Sequence, residues 1–203
     1  MNRILNSSNI YITILIFSIL LTTGCTSSHK KGDSEINDEN LSEELSKNGK
    51  IIIETAKEEQ NNPMYSPEVD TTILYWLENK IIILENATKC NIYALNTLYK
   101  AGFMCPKDNT LTRDLMDTVK YNEIFPVIKI EKYSDIKKGD LIVWNGHVII
   151  FDSLIIIKNV IYAMAYWAGT RQEDNKENII NNVSHGKYKL EGNFIIRRPK
   201  KRI

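Results

Sequence analysis

Apolar side chains recur at helical spacing in two stretches of the first half of this chain, and alternate or run in short blocks between turn residues in the second half. Ile51, Ile52, Ile53 and Ala56 predict a helix ending near Glu59, stopped by Asn61-Asn62-Pro63. Residues 69–84 carry Leu74, Tyr75, Trp76 and Leu77 without a clean period and read as helix or irregular chain. Ala94, Leu95, Leu98 and Ala101 repeat at helical spacing, with Thr88 as N-cap and Gly102 as the residue that ends the helix. This reading puts Cys90 in the first helical turn. A short segment follows at residues 111–119. Strands are predicted around 126–131, at 141–144, 147–151, 160–167 and 193–198, the last closed by Pro199. Lys138-Gly139-Asp140, Asn145-Gly146 and Lys158-Asn159 are the turns between them, Asn-Gly being the strongest hairpin signal. Helices first and a meander afterwards predict an α+β fold, with N-terminal helices packed on an antiparallel β-meander.

The first residues have a separate character. Arg3 precedes an apolar run, Ile10 to Leu21, too short to span a bilayer comfortably and suited to a signal peptide. Leu21-Thr22-Thr23-Gly24-Cys25 resembles a bacterial lipobox, although Leu stands four places before the cysteine where three is usual. The expectation is a lipoprotein signal peptide at 1–24 and lipidation of Cys25. A plain cleaved signal or an uncleaved anchor is the other reading, and each places the domain outside the cytoplasm, in the cell envelope. Residues 25–48 are rich in Ser, Lys, Asp, Glu and Asn and read as a flexible polar tether, His29 included. Residues 49–203 then form one domain.

Composition excludes more than it names. The chain has 203 residues, 43% hydrophobic and 25% charged, with a formal net charge of +1. That balance suits a globular domain and gives no global field for nucleic acid. The basic end, Arg197-Arg198-Pro199-Lys200-Lys201-Arg202, reads as a solvated tail or a contact with anionic lipid or wall polymer. The three cysteines show no CxxC spacing, so neither a thiolate metal site nor any cofactor is expected.

A cysteine at a helix start has a chemical use. Unpaired N–H groups and the helix dipole favour its thiolate, and the same N–H groups can hold an oxyanion when a carbonyl is attacked. A histidine must then move the proton. The candidate domain holds two, His147 and His185. His147 opens a strand directly after Asn145-Gly146, with Ile149 and Phe151 on its face, while His185 reads as a loop residue whose functional use would be a substrate contact. A packed thiol and a hairpin histidine are the structural readings of Cys90 and His147. A Cys90–Cys105 disulfide is a further one, and Cys105 itself reads as a free or packed thiol.

Lys89-Cys90-Asn91-Ile92-Tyr93, with Leu98, Ala101 and Gly102, resembles the nucleophile helix of NlpC-type and CHAP-type cell-wall cysteine hydrolases. Lys138-Gly139-Asp140-Leu141-Ile142-Val143-Trp144, then Gly146-His147-Val148-Ile149-Ile150-Phe151, resembles their histidine-strand signature. The resemblance implies a papain-like α+β fold and hydrolysis of amide bonds in peptidoglycan stem peptides, by an endopeptidase or an N-acetylmuramoyl-L-alanine amidase. It implies Cys90 as nucleophile and His147 as base, with a monomer acting on peptidoglycan and held at the membrane through Cys25. Asn91, Trp144 and Trp167 are the candidate substrate contacts, the tryptophans having core packing as their other reading. The family often has Asp before its cysteine and Ser-Gly after it, where this chain has Lys89 and Asn91-Ile92. It also uses a third polar residue, on the next strand, to hold the imidazole. A turn at Lys158-Asn159 sets His147 opposite Thr170, and Tyr162, Tyr166 and Asp174 remain open as that third residue, as does a backbone carbonyl. The alternatives to a cell-wall hydrolase are a non-catalytic cell-wall-binding lipoprotein on the same fold and the same catalytic pair applied to another amide.

Overall fold

Turn chemistry shapes the β half of this protein. In the computed structural model, which describes residues 32–85, 87–169 and 178–203 and side chains from residue 40 onward, paired left-handed residues close three hairpins. They are Glu78-Asn79, Lys158-Asn159 and Asn181-Asn182, all at positive φ. Lys158-Asn159 and Asn181-Asn182 are complete two-residue turns, whose twist two successive left-handed residues match, while Glu78-Asn79 ends the longer connection from Tyr75. Asn tolerates that conformation better than other side chains with a Cβ. The signal peptide, Cys25, His29 and Asp174 lie outside the described residues.

The described chain is α+β. Three helices, α1 (Gly32–Glu59), α2 (Cys90–Lys100) and α3 (Thr112–Met116), accompany nine strands. Strands β1 (Thr71–Leu74) and β2 (Lys80–Ile83) form a two-stranded hairpin. The others are β3 (Val127–Ile128), β4 (Leu141–Trp144), β5 (His147–Ile157), β6 (Val160–Ala168), β7 (Asn178–Ile180), β8 (Val183–Lys189) and β9 (Phe194–Arg197). They build one antiparallel sheet in the order β3-β9-β4-β5-β6-β8-β7. The last strand thus returns beside β4, so the sheet is not a simple meander.

Several expectations are corrected. The segment at 69–84 is a β-hairpin, because the left-handed pair Glu78-Asn79 reverses a chain whose period was obscured by a 3-10 turn at Tyr75–Leu77. The tether is helical from Gly32, and α1 runs unbroken across the 48/49 boundary. Its residues there are largely solvated, as the composition suggested, but Leu45, Ile52 and Ala56 continue one face onto the domain. His185 lies in β8 rather than a loop. Thr88 is not the cap: Lys89 is the N-cap of α2 and makes no side-chain capping bond.

Alternation along β5 sorts its residues onto two cores. Val148 and Ile150 face α2 and α1, with Tyr93, Leu95, Leu98, Leu141, Val143 and Tyr166. Ile149 and Phe151 face the other way, with Ile142, Ala163, Ala165, Trp167 and Tyr188. Helix α2 is buried along nearly its whole length, so its polar members need internal partners. Asn96 accepts from the Tyr75 N–H (2.8 Å) and donates to the Ile73 carbonyl (2.8 Å) and to the Tyr65 hydroxyl (3.1 Å). These bonds fix α2 against the chain around β1 and hold its N-terminus over the sheet.

Candidate active site

Cys90 is the first residue of α2 and is 2% exposed. The first intrahelical bond runs from the Tyr93 N–H to the Lys89 carbonyl, which leaves the N–H groups before it free for other acceptors. Burial pushes the Cys90 thiol up from its ordinary range. Four donors around the sulfur oppose that shift, in order the N–H groups of Val148, Asn91 and Cys90 and the Thr88 hydroxyl. A buried sulfur ringed by donors is one whose thiolate is costly but provided for.

The Val148 N–H is available because the sheet opens here. The β5–β6 register runs from Ile157↔Val160 to Ile150↔Tyr166, although β5 begins at His147 and β6 continues to Ala168. Val148 belongs to the peptide that joins it to His147. The sulfur therefore lies against the backbone of the histidine's own strand, at the unladdered end. The sulfur packs on the face of Val148 and Ile150, whereas the imidazole of His147 shares the face of Ile149 and Phe151. Its ring stacks on Tyr188, with centroids 5.2 Å apart and planes inclined at 18°.

A cavity of about 420 Å³ opens at this end of the sheet. Its described lining comes from Thr88, the Trp144–His147 hairpin, Gly169 and Asn193. Thr88, Gly169 and Asn193 were not foreseen. Gly169 and Asn193 reach the cavity through strand pairing that no local pattern encodes.

The other sequence candidates fall as follows. Trp144 lines the cavity and donates through Nε1 to the Glu191 carbonyl at 2.9 Å. Trp167 is 3% exposed and packs edge-on against Tyr188, at 5.3 Å and 78°, in the core rather than at the cleft. Asn91 is buried and donates to the Thr110 carbonyl at 2.7 Å, so its amide ties α2 to the loop before α3. A bulge between Phe151 and Ser153 shifts the register by one residue. Counting on from Ile150↔Tyr166 then brings His147 opposite Gly169 instead of Thr170. Tyr162 pairs with Ile155 and Lys189, seven residues along β6 from Gly169. Alternation puts Tyr162 on the face of Tyr166 and Ala168, opposite to the Ala163, Ala165 and Trp167 face where the imidazole stacks on Tyr188. Tyr166 faces α2 and stacks on His185 at 4.0 Å. Neither tyrosine holds His147.

His185 has its own partners. Its Nε2 lies 3.4 Å from an Asp152 oxygen, and Lys138 pairs with the other oxygen. His185, then Lys138, hold the Asp152 carboxyl below the usual carboxylate range against the effect of its burial. Cys105 is a free thiol, as is Cys90. It donates to the Leu95 carbonyl at 3.5 Å, and burial pushes its pKa up to about 12. Among the described residues no three His, Cys, Asp or Glu side chains gather as a metal site would need, and no helix is long and apolar enough to cross a membrane.

No protein-family model matches this chain, and neither a curated protein nor a solved structure matches it.

Proposed function

We propose that this protein is a papain-like cysteine hydrolase of cell-wall amide bonds, with Cys90 as nucleophile and His147 as general base. The observation that carries this reading is the Cys90 sulfur at a helix start, surrounded by N–H donors and lying on the peptide that follows His147, beside an open cavity. In the reaction the Cys90 thiol gives its proton to the imidazole as sulfur attacks the amide carbonyl. The tetrahedral oxyanion is held by N–H groups at the start of α2. Its collapse expels the amine, which takes the proton back from the imidazolium, and water then cleaves the thioester. The imidazole stacks on Tyr188 on the Ile149 and Phe151 face of β5, while the sulfur packs on the Val148 and Ile150 face, so this reading requires the imidazole to turn about the start of β5 to reach the sulfur. The peptide substrate, export and lipidation at Cys25 belong to the same proposal and rest on the sequence motifs.

The test is release of muropeptides from purified peptidoglycan, read by mass spectrometry. New amino termini are expected with the wild-type protein and none with Cys90→Ala or His147→Ala. Undiminished release by either variant would overturn the assignment. A second reading, a wall-binding lipoprotein that cleaves nothing, is favoured by the burial that raises the Cys90 thiol. It expects binding to sacculi with no new termini from any form.

A further inference from the structure

We infer that the cavity at the start of β5 is a saccharide site, in which Trp144 is the plate for an uncharged pyranose ring and Asn145 and Asn193 take its hydroxyl or acetamido groups. The choice of a wall glycan as the source rests on the cell-wall reading above, but the site itself does not depend on cleavage by Cys90.

Three observations carry the inference. The first is the rigidity of the aromatic wall. The Trp144 Nε1–H is held by the Glu191 carbonyl at 2.9 Å. Its ring packs on Tyr188, at 5.1 Å and 46°, and on Phe194, at 5.3 Å and 50°. Tyr188 in turn stacks on the imidazole of His147, which also lines the cavity. A ring fixed in this way loses little freedom when a ligand settles on it. Its face is electron-rich and attracts the weakly positive C–H groups that a sugar presents on its flat side. The second observation is charge. The described lining holds no carboxylate, ammonium or guanidinium group, His147 being its one titratable member. Glu191, on the loop that holds Trp144, pairs its carboxylate with Lys189 at 2.6 Å. A charged peptide end finds no fixed counter-ion in that lining, whereas a neutral sugar needs none. The third observation is the set of polar groups. Thr88, Asn145 and Asn193 are exposed and line the cavity. A carboxamide or a hydroxyl both donates and accepts, which matches the hydroxyls and acetamido groups of a sugar. A Cβ on Gly146 or Gly169 would meet nothing within 4 Å, so the space over these two lining residues is open. At about 420 Å³ the cavity falls in the range of roughly 300–1,000 Å³ usual for ligand sites. Thr88 joins the lining two residues before Cys90, which sets the sugar site beside the nucleophile helix.

The test is a titration of the full chain carrying Cys90→Ala, which removes cleavage, with tetra-N-acetylchitotetraose, followed through the tryptophan indole N–H signals. Saturable binding that moves the Trp144 signal is expected. Trp144→Ala should weaken it on the order of tenfold. Should that variant fail to fold, the exposed double variant Asn145→Ala/Asn193→Ala decides, with a loss of the same order expected. No binding of the sugar, binding that leaves the Trp144 signal in place, or full affinity in the double variant overturns the inference. So does a sugar-free stem peptide that moves the Trp144 signal where the sugar does not, since the cavity is then a peptide site. Sugar binding by a wild-type protein that releases no muropeptide would sink the hydrolase and leave the site standing. Muropeptide release without sugar binding would do the reverse.

Discussion

Gly49 in α1 and Gly139 in the turn before β4 meet backbone to backbone. A Cβ placed on Gly139 would lie 3.0 Å from the Gly49 Cα and 2.8 Å from Ile52 Cδ1, and a Cβ on Gly49 would collide with the Lys138 carbonyl. Gly139 also has a φ of +86°, so two separate demands exclude a side chain there. The contact lets α1 seat on the turn that launches the central strands, which in turn carry His147.

Gly49→Ala is therefore expected to destabilise the protein even though alanine is the better helix former. The obstacle is backbone and cannot swing aside. The overpacking cost, about 1–3 kcal/mol, exceeds the gain in helix propensity, about 1 kcal/mol. Urea unfolding measures the difference, and an unchanged or higher midpoint would show that α1 does not seat as described.

Lys89 is 1% exposed, and its ammonium donates to the carbonyls of Met64 (2.5 Å), Ser66 (3.2 Å) and Val69 (2.6 Å). Burial lowers its pKa. Lys89→Met should cost about 1–3 kcal/mol, the penalty for buried acceptors left without a donor. Faster amide hydrogen exchange confined to residues 63–70 is the accompanying sign. Exchange unchanged in that loop would count against the anchor.

Asp140 is 1% exposed and receives both Arg198 Nε (2.9 Å) and Nη2 (2.8 Å), as well as the Lys137 N–H (2.8 Å). Asp140→Asn leaves a half-buried guanidinium without its counter-charge. The expected loss is about 3 kcal/mol, the low end for breaking a buried pair because Arg198 keeps some solvent. Thermal unfolding of the single variants and of the double variant Asp140→Asn/Arg198→Met would give the coupling. Additive losses would show that the pair is not an energetic unit.

Alkaline solution should unfold the protein early. Burial raises the thiols of Cys90 and Cys105 and the phenols of Tyr65 and Tyr93 above their ordinary values of 9.0 and 10.0. The folded state thus holds protons that the unfolded chain releases. Stability from these groups is complete below the ordinary values and declines as pH climbs above about 9. A thermal midpoint flat between pH 9 and the upper limit of measurement, about pH 11, would contradict the burial of these groups.

Local pattern was enough for the elements whose cause is local. The apolar spacing of Ala94, Leu95 and Leu98 marked α2, the glycine after it ended the helix as read, and Asn145-Gly146 marked the β4–β5 hairpin. Those same signals put Cys90 at a helix start and His147 at a strand start. Where propensity and period disagreed, as at 69–84, the sequence was ambiguous, and the left-handed pair at Glu78-Asn79 was the overlooked clue.

Tertiary structure alone decided what surrounds the two candidate residues. One bulge at Asp152 changes every partner across β5 and β6 beyond it, because a strand alternates faces with a period of two. Counted on from Ile150↔Tyr166, that single inserted residue puts Gly169 rather than Thr170 in register with His147. The pairing of β8 with β6 then carries Tyr188 to the imidazole from 41 positions away in the chain. Neighbours brought together by strand order leave no periodic trace in the sequence, whereas a helix start or a tight turn is written within four residues of itself.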